Sequence, residues 1–307
     1  MLIATLPLLP RYRHDIVRSP VVDQLRYNTV MPIDVEIITV VEQLLELAGE
    51  KPLWIDLKCR QLRITKFSYL PYDYVEISHP ITVNMPTKLY FKDCVADIES
   101  VVNGTRLILA ERPLRTVGAG EPVNILDPSL RIEGFLTEQD RAYIEAAKSL
   151  GLHRYMLSFV ERREDIEELL SLDPDAEIIA KIESKRGIDF VERDYPSYRH
   201  CVRLMAARDD LYINLGEEKV QMLPALYYLV SQDPQAIAAS RLLTSLYEKD
   251  TPAMGDLADL HMLHLMGYRS FMLSDEICRI RDVFRKVAEI YGEYLEFLRN
   301  NPFCSAE

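Results

Sequence analysis

At 307 residues, 48% of them hydrophobic, the chain can bury a large core and is long enough for one big domain carrying a small insertion. Its formal net charge of -12 argues against nucleic acid or an anionic membrane surface as a general partner, because neutralising phosphates takes clustered Lys and Arg. No uncharged apolar stretch approaches the ~20 residues of a membrane span. The five scattered cysteines, Cys59, Cys94, Cys201, Cys278 and Cys304, show no C-x-x-C spacing and are expected as reduced thiols of a cytoplasmic protein.

The opening MLIATLPLLP is apolar but lacks a basic leader and runs at once into Arg11, Arg13 and Arg18, which predicts a first core strand over 2–6 rather than a signal peptide. Further strands are expected over 24–30 and 53–58, with a helix over 35–48 between them. The texture then changes. Residues 64–134 are rich in Pro, Tyr, Val and Thr, with turn signals at Lys92-Asp93, Asn103-Gly104 and Gly118-Ala119-Gly120, and predict a small β-domain inserted between strand three and its helix. Asn103-Gly104-Thr105 matches a glycosylation sequon but reads as a turn.

From Leu136 onward strand and helix alternate without a break. Thr137 reads as the N-cap of a helix closed by Gly151, followed by a strand over 154–160, helix 163–171, strand 177–183 and helix 187–193. Strand 202–207, helix 217–231, strand 235–240, helix 254–266, strand 270–274 and a long helix over 276–299 complete the series. Alternation of this kind implies right-handed crossovers and a parallel sheet. Eight strands in all predict an α/β fold, a (β/α)8 TIM barrel over 1–63 and 135–307 with the β-rich insertion over 64–134.

Two segments stand out chemically. The run Ala176 to Glu183 is apolar enough to be covered on both faces, yet it places Lys181 and Glu183 two residues apart on one side, at the strand's C-terminal end. Ala207-Arg208-Asp209-Asp210 closes the next strand in the same way. Buried charges need partners, so Lys181 and Glu183 either neutralise each other at the barrel rim or serve a divalent cation and an anionic substrate. Elsewhere His261 and His264 lie three apart on a predicted helix but have no Cys, Asp or Glu set to complete a zinc site, and read as a helix face. His14, His79, His153 and His200 lack a nucleophile or triad context. No P-loop or dinucleotide glycine pattern occurs, and acidic helices such as EDIEELL read as solvated faces.

Taken in order, IATLP, LRYNT (25–29), WIDLKCRQLR (54–63), PVNILDPSLRIEGFLTEQD (122–140), LSFVERREDIEEL (157–169), IIAKIES, MAARDDL, AASRLLTSL and FMLSDE resemble successive segments of the pyruvate kinase family. The resemblance implies that Lys181 contacts the phosphoryl group in transfer, that Glu183 and Asp210 bind Mg2+, and that Arg26 holds the substrate phosphate. It implies K+ on Asn28 and Asp56, a hydroxyl from Ser240 near the substrate carboxylate and methylene carbon, and Ser274 beside it in a proton relay. Lys58 and Arg63 are implied as further phosphate contacts.

Asp209 stands where the family has a glycine whose amide approaches the substrate carboxylate, so an inward Asp209 implies a different acid. Gly120, Glu121 and Pro122 replace a basic pair at the exit of the insertion, and Val30-Met31 replaces a histidine, which weakens the case for ADP or ATP. The chain ends at the helix after strand eight, so the family's C-terminal regulatory domain is not expected.

The implied activity is metal-dependent phosphoryl transfer between an enolpyruvate-type acid, such as phosphoenolpyruvate, and a nucleotide or other acceptor. Developing charge on the phosphoryl oxygens calls for the lysine, arginine and metal set. A metal-dependent lyase or aldolase working through a pyruvate enolate is the alternative, and a non-catalytic binding or regulatory protein that keeps the pocket is a third. Assembly into a homo-oligomer is left open.

Overall fold

The computed structural model describes residues 1–7, 10–30, 33–68, 73–91, 94–111, 113 and 117–301; Met31, the turn signal at Lys92-Asp93 and Cys304 fall outside these. The described chain forms two compact units, Met1–Leu57 with Glu138–Glu307, and Lys58–Thr137. The second is wider at both ends than the 64–134 read from texture.

The first unit is a closed barrel of eight parallel strands: β1 (Leu2–Thr5), β2 (Gln24–Asn28), β3 (Leu53–Leu57), β4 (Arg154–Leu157), β5 (Glu177–Ile182), β6 (Val202–Ala207), β7 (Ile237–Ala239) and β8 (Ser270–Met272). Each strand pairs with its neighbours in chain order, and β8 closes onto β1 through Leu2 opposite Phe271. Strands covered on both faces are continuously apolar, and β1, β3 and most of β5 are buried at every position. One wall of each strand packs outward on helices. The other fills the barrel with Ile3, Trp54, Met156, Ile179, Met205, Ile237, Ala239 and Met272, drawn from every strand except β2.

The helices are α1 (Pro10–Arg18), α2 (Ile37–Ala48), α3 (Glu138–Ser149), α4 (Arg163–Leu172), α5 (Lys185–Arg193), α6 (Arg208–Asn214), α7 (Met222–Gln232), α8 (Met254–Met266), α9 (Asp275–Cys278) and α10 (Arg281–Asn300). Four differences from the sequence reading matter. Helix α1 was not expected. The segment Arg208-Asp209-Asp210, read as a strand end, is the first turn of α6, which stops at Gly216 in a left-handed conformation (φ +62°) before α7 starts. The last helix is broken at Ile280, whose extended backbone separates α9 from α10. Strand β4 also ends three residues early, because Phe159 turns into left-handed backbone (φ +52°).

The second unit is a five-stranded antiparallel sheet in the order Ile64–Ser68, Tyr74–Ile77, Arg106–Leu109, Val95–Val102, Thr87–Tyr90, with a short ribbon of Ile81–Thr82 against Arg131–Ile132. It has its own apolar core, including Val75, Leu89, Ile98 and Leu107. Among the described residues Cys59, Cys94, Cys201 and Cys278 are not joined in disulfides. Among the described residues no helix is long and apolar enough to cross a membrane.

Candidate active site

Alternation along the strands builds the site. Ile3, Trp54, Met156 and Ile179 form the apolar interior, and stepping two residues toward the C-terminal end keeps the same face but changes the chemistry to Thr5, Asp56, Ser158 and Lys181. A further step along β5 reaches Glu183. Strand β2 contributes Arg26 and Asn28, paired in register with Trp54 and Asp56. A charged layer therefore rests on an apolar one.

Asp56, with no solvent exposure, is the hub. One of its oxygens accepts from Arg26 Nε at 2.7 Å and from a terminal guanidinium nitrogen of the same residue; the other faces the Lys181 ammonium at 3.6 Å. Lys181 Nζ donates to Ser158 Oγ at 2.8 Å and lies 3.2 Å from Glu183 Oε1. The Ser158 hydroxyl in turn donates to the Leu57 carbonyl at 2.9 Å, which fixes it as an acceptor for the lysine. Glu183 Oε2 accepts the backbone N–H of Phe159 at 2.6 Å. Arg26 also donates to Thr5 Oγ1 at 2.8 Å and Asp275 Oδ2 at 2.9 Å, and Asn28 Nδ2 donates to that same Asp275 oxygen at 3.1 Å.

Charge is strongly perturbed here. Burial opposes ionisation of Lys181, yet Asp56 and Glu183 raise its pKa above the usual lysine value and keep it cationic. Arg26 behaves alike: burial works against the guanidinium, and Asp275 and Asp56 more than offset it. Burial, and then the nearby charge of Asp210 against the favourable pull of Lys181, pushes the Glu183 carboxyl up to about 7. Among the described residues Glu183 Oε1 accepts no well-formed hydrogen bond although it is buried, and its neighbouring charge is Lys181. A hard oxygen donor held in that condition, with a second carboxylate close by on Asp210, fits a divalent cation.

The residues singled out from sequence separate into groups. Arg26, Asn28, Asp56, Lys181 and Glu183 converge at one barrel mouth, with Asp210 close enough to shift both Lys181 and Glu183. Asp209 does not join them; it is exposed and ion-paired with Arg241. Ser240 is half-buried in left-handed backbone (φ +70°) after β7, and its carbonyl accepts Arg208 Nε at 3.1 Å. Ser274 is half-buried immediately before α9. Lys58 and Arg63 belong to the other compact unit, where Arg63 donates to the Gly120 carbonyl and to Gln61. His261 stacks on His264 and meets the Tyr294 hydroxyl at 3.2 Å, a helix face as expected.

Four contributors escaped the sequence reading: Thr5, Ser158, Asp275 and Arg208. Asp275 had a visible signal, an acidic residue just past a barrel strand. The serine and threonine had none, since a hydroxyl inside an apolar strand is usually packing. Arg208 is buried and braces the mouth by gripping both oxygens of Asp259 at 2.7 and 2.9 Å and the carbonyls of Ala239 and Ser240.

Residues 49–280, most of the chain, match the family model described as pyruvate kinase, barrel domain. The chain belongs to the pyruvate kinase family. Curated pyruvate kinases resemble it at modest identity: 27% over 161 residues for that of Borreliella burgdorferi, 25% over 197 residues for that of Thermotoga maritima and 31% over 165 residues for that of Agrobacterium vitis. These matches take in 50%, 60% and 52% of this chain but only 33%, 41% and 32% of the relatives. Barrels of this kind gather their functional groups at the C-terminal ends of the strands, and the Lys181 and Glu183 cluster lies at that end.

Proposed function

We propose that this pyruvate kinase-family chain carries out metal-dependent phosphoryl transfer between an enolpyruvate-type acid and a nucleotide or other acceptor. The observation that carries the reading is Lys181: a buried ammonium held between Asp56 and Glu183 and aimed by Ser158, on the same strand face as the carboxylate best suited to a metal. A transferring phosphoryl group needs fixed positive charge more than covalent help, and a preorganised lysine supplies it without reorganisation. Glu183 and Asp210 would hold Mg2+, which would neutralise charge on the phosphoryl and enolate oxygens. Of the K+ donors implied by resemblance, Asp56 is engaged by Arg26 and Lys181, whereas Asn28 gives its amide nitrogen to Asp275 and turns its oxygen to the Val30 N–H at 3.3 Å.

Turnover of phosphoenolpyruvate and ADP in Mg2+, compared with the Lys181→Ala variant, tests the reading. Loss of most of the rate in the variant supports it; equal rates in the two proteins overturn it.

One observation favours a second reading, enolate chemistry on a pyruvate-like acid without phosphoryl transfer. Each nitrogen of Arg26, the group that would hold a substrate phosphate, is already bonded within the protein. Metal-dependent solvent deuterium exchange into pyruvate in the absence of nucleotide separates the two.

A further inference from the structure

Arg26 is bound on two sides by carboxylates of different character. Asp56 is fully buried beneath it, whereas the Asp275 side chain is 40% exposed and approaches from the open side. A single oxygen, Asp275 Oδ2, accepts from both Arg26 and Asn28, which is the position an anionic substrate oxygen would take against that pair. The carboxylate is not on a loose arm. Leu273 N–H is tied to the Ile3 carbonyl at 2.9 Å, the Asp275 carbonyl accepts Arg279 N–H at 3.0 Å, and the Ser274 carbonyl accepts Cys278 N–H at 3.2 Å.

The charges of the mouth lead to the same point. Two cations, Arg26 and Lys181, face the carboxylates Asp56, Asp275 and Glu183, with Asp210 adjacent. A bound divalent cation balances that set before any substrate arrives. A small carboxylate such as oxalate would meet the metal alone, whereas the phosphate of a phosphorylated acid would find its arginine already held by Asp56 and Asp275.

We propose that Asp275 is a specificity-determining residue that fills the anion seat on Arg26 and Asn28, so that the site selects small unphosphorylated carboxylates over phosphorylated acids. This rests on the reading of Glu183 and Asp210 as the metal pair, and it sides with the second reading, enolate chemistry on an unphosphorylated acid.

Calorimetric titration of the Mg2+-loaded full chain with oxalate and with phosphoenolpyruvate tests it, in the unaltered protein and in Asp275→Asn and Asp275→Ser. In the unaltered protein oxalate should bind at least about tenfold more tightly than phosphoenolpyruvate, and both substitutions should tighten phosphoenolpyruvate by about tenfold while moving oxalate by less than about twofold. Equal affinity for the two ligands in the unaltered protein overturns the inference, whether or not the variants fold. Unchanged or weaker phosphoenolpyruvate binding in a variant that still takes oxalate overturns it alone. If oxalate binding in the unaltered protein does not depend on Mg2+, the metal-pair reading fails as well.

Discussion

Phe159 gives its backbone N–H to Glu183 Oε2 across 2.6 Å, and it does so from a left-handed backbone that a bulky side chain rarely adopts. The turn after β4 thus aims an amide at the carboxylate of the neighbouring strand and leaves the other carboxylate oxygen toward Lys181. Positioning of the acid and of the lysine is one problem, solved by β4 and the turn that follows it.

Ser158 is the positioning residue on the lysine side. Ser158→Ala removes a neutral acceptor of the Lys181 ammonium and is expected to lower turnover by roughly tenfold, the scale of one hydrogen bond to a charged group. Ser158→Thr should restore part of the rate, and the metal affinity should stay within about twofold in both. A turnover loss accompanied by an equal loss of Mg2+ affinity would assign the effect to Glu183 instead.

The Glu183 carboxyl titrates at about 7 rather than at its ordinary 4.5, chiefly through burial. Between those values the folded protein holds a proton that the unfolded chain has lost. This group's contribution to stability is therefore complete below its unfolded value of 4.5 and is lost as pH rises through 7. Metal-free protein should melt at a higher temperature at pH 5 than at pH 8 from this source, and Glu183→Gln should flatten that difference. Mg2+ competes with the same proton, so its affinity should fall by about tenfold per unit below pH 7. Titrations at pH 6 and 8 measure it.

Arg208 carries no chemistry but joins α6, the end of β7 and α8. Arg208→Ala leaves Asp259 and two carbonyls without their donor, and a loss of roughly 2–4 kcal/mol in urea denaturation is expected. Arg208→Lys should recover less than half of it, because one ammonium cannot reproduce the forked contact.

At the opposite end of the barrel, Asp173 is fully buried and accepts from the Tyr155 hydroxyl at 2.8 Å while His153 Nδ1 lies at the same distance. His153, Asp173 and Asp175 form a group of three, among the described residues, close enough together to hold a metal, but the Asp173 carboxylate is already spent on the tyrosine and histidine. Asp173→Asn is expected to cost roughly 1–3 kcal/mol of stability with turnover unchanged per folded molecule. A fall in turnover without a fall in melting temperature would contradict this assignment to the scaffold.

The sequence motif around Asp173 recurs at Asp233, each opening Asp-Pro-x-Ala before a barrel strand. In both the aspartate side chain accepts the N–H two residues on, at 3.3 Å from Asp175 and 2.9 Å from Gln235. The sequence reading did not draw on that repeat; the barrel was readable in advance from its apolar strand runs and the helices alternating with them. Lys181 and Glu183 were readable for a related reason: charges at period two at the end of a doubly covered strand share one face and must find partners there.

What a linear pattern could not supply was neighbourhood. Resemblance separated Asp210 from Asp209 but left the direction of Asp209 open; in the first turn of α6 consecutive side chains point about 100° apart, and Asp209 goes to Arg241 while Asp210 is close enough to act on Glu183. Thr5 and Asp275 become partners of Arg26 only because β8 closes onto β1, bringing together residues at opposite ends of the chain. Strand alternation is a local property of the backbone and was legible from sequence alone. Which charge each side chain meets depends on closure of the barrel, and that only the tertiary structure decided.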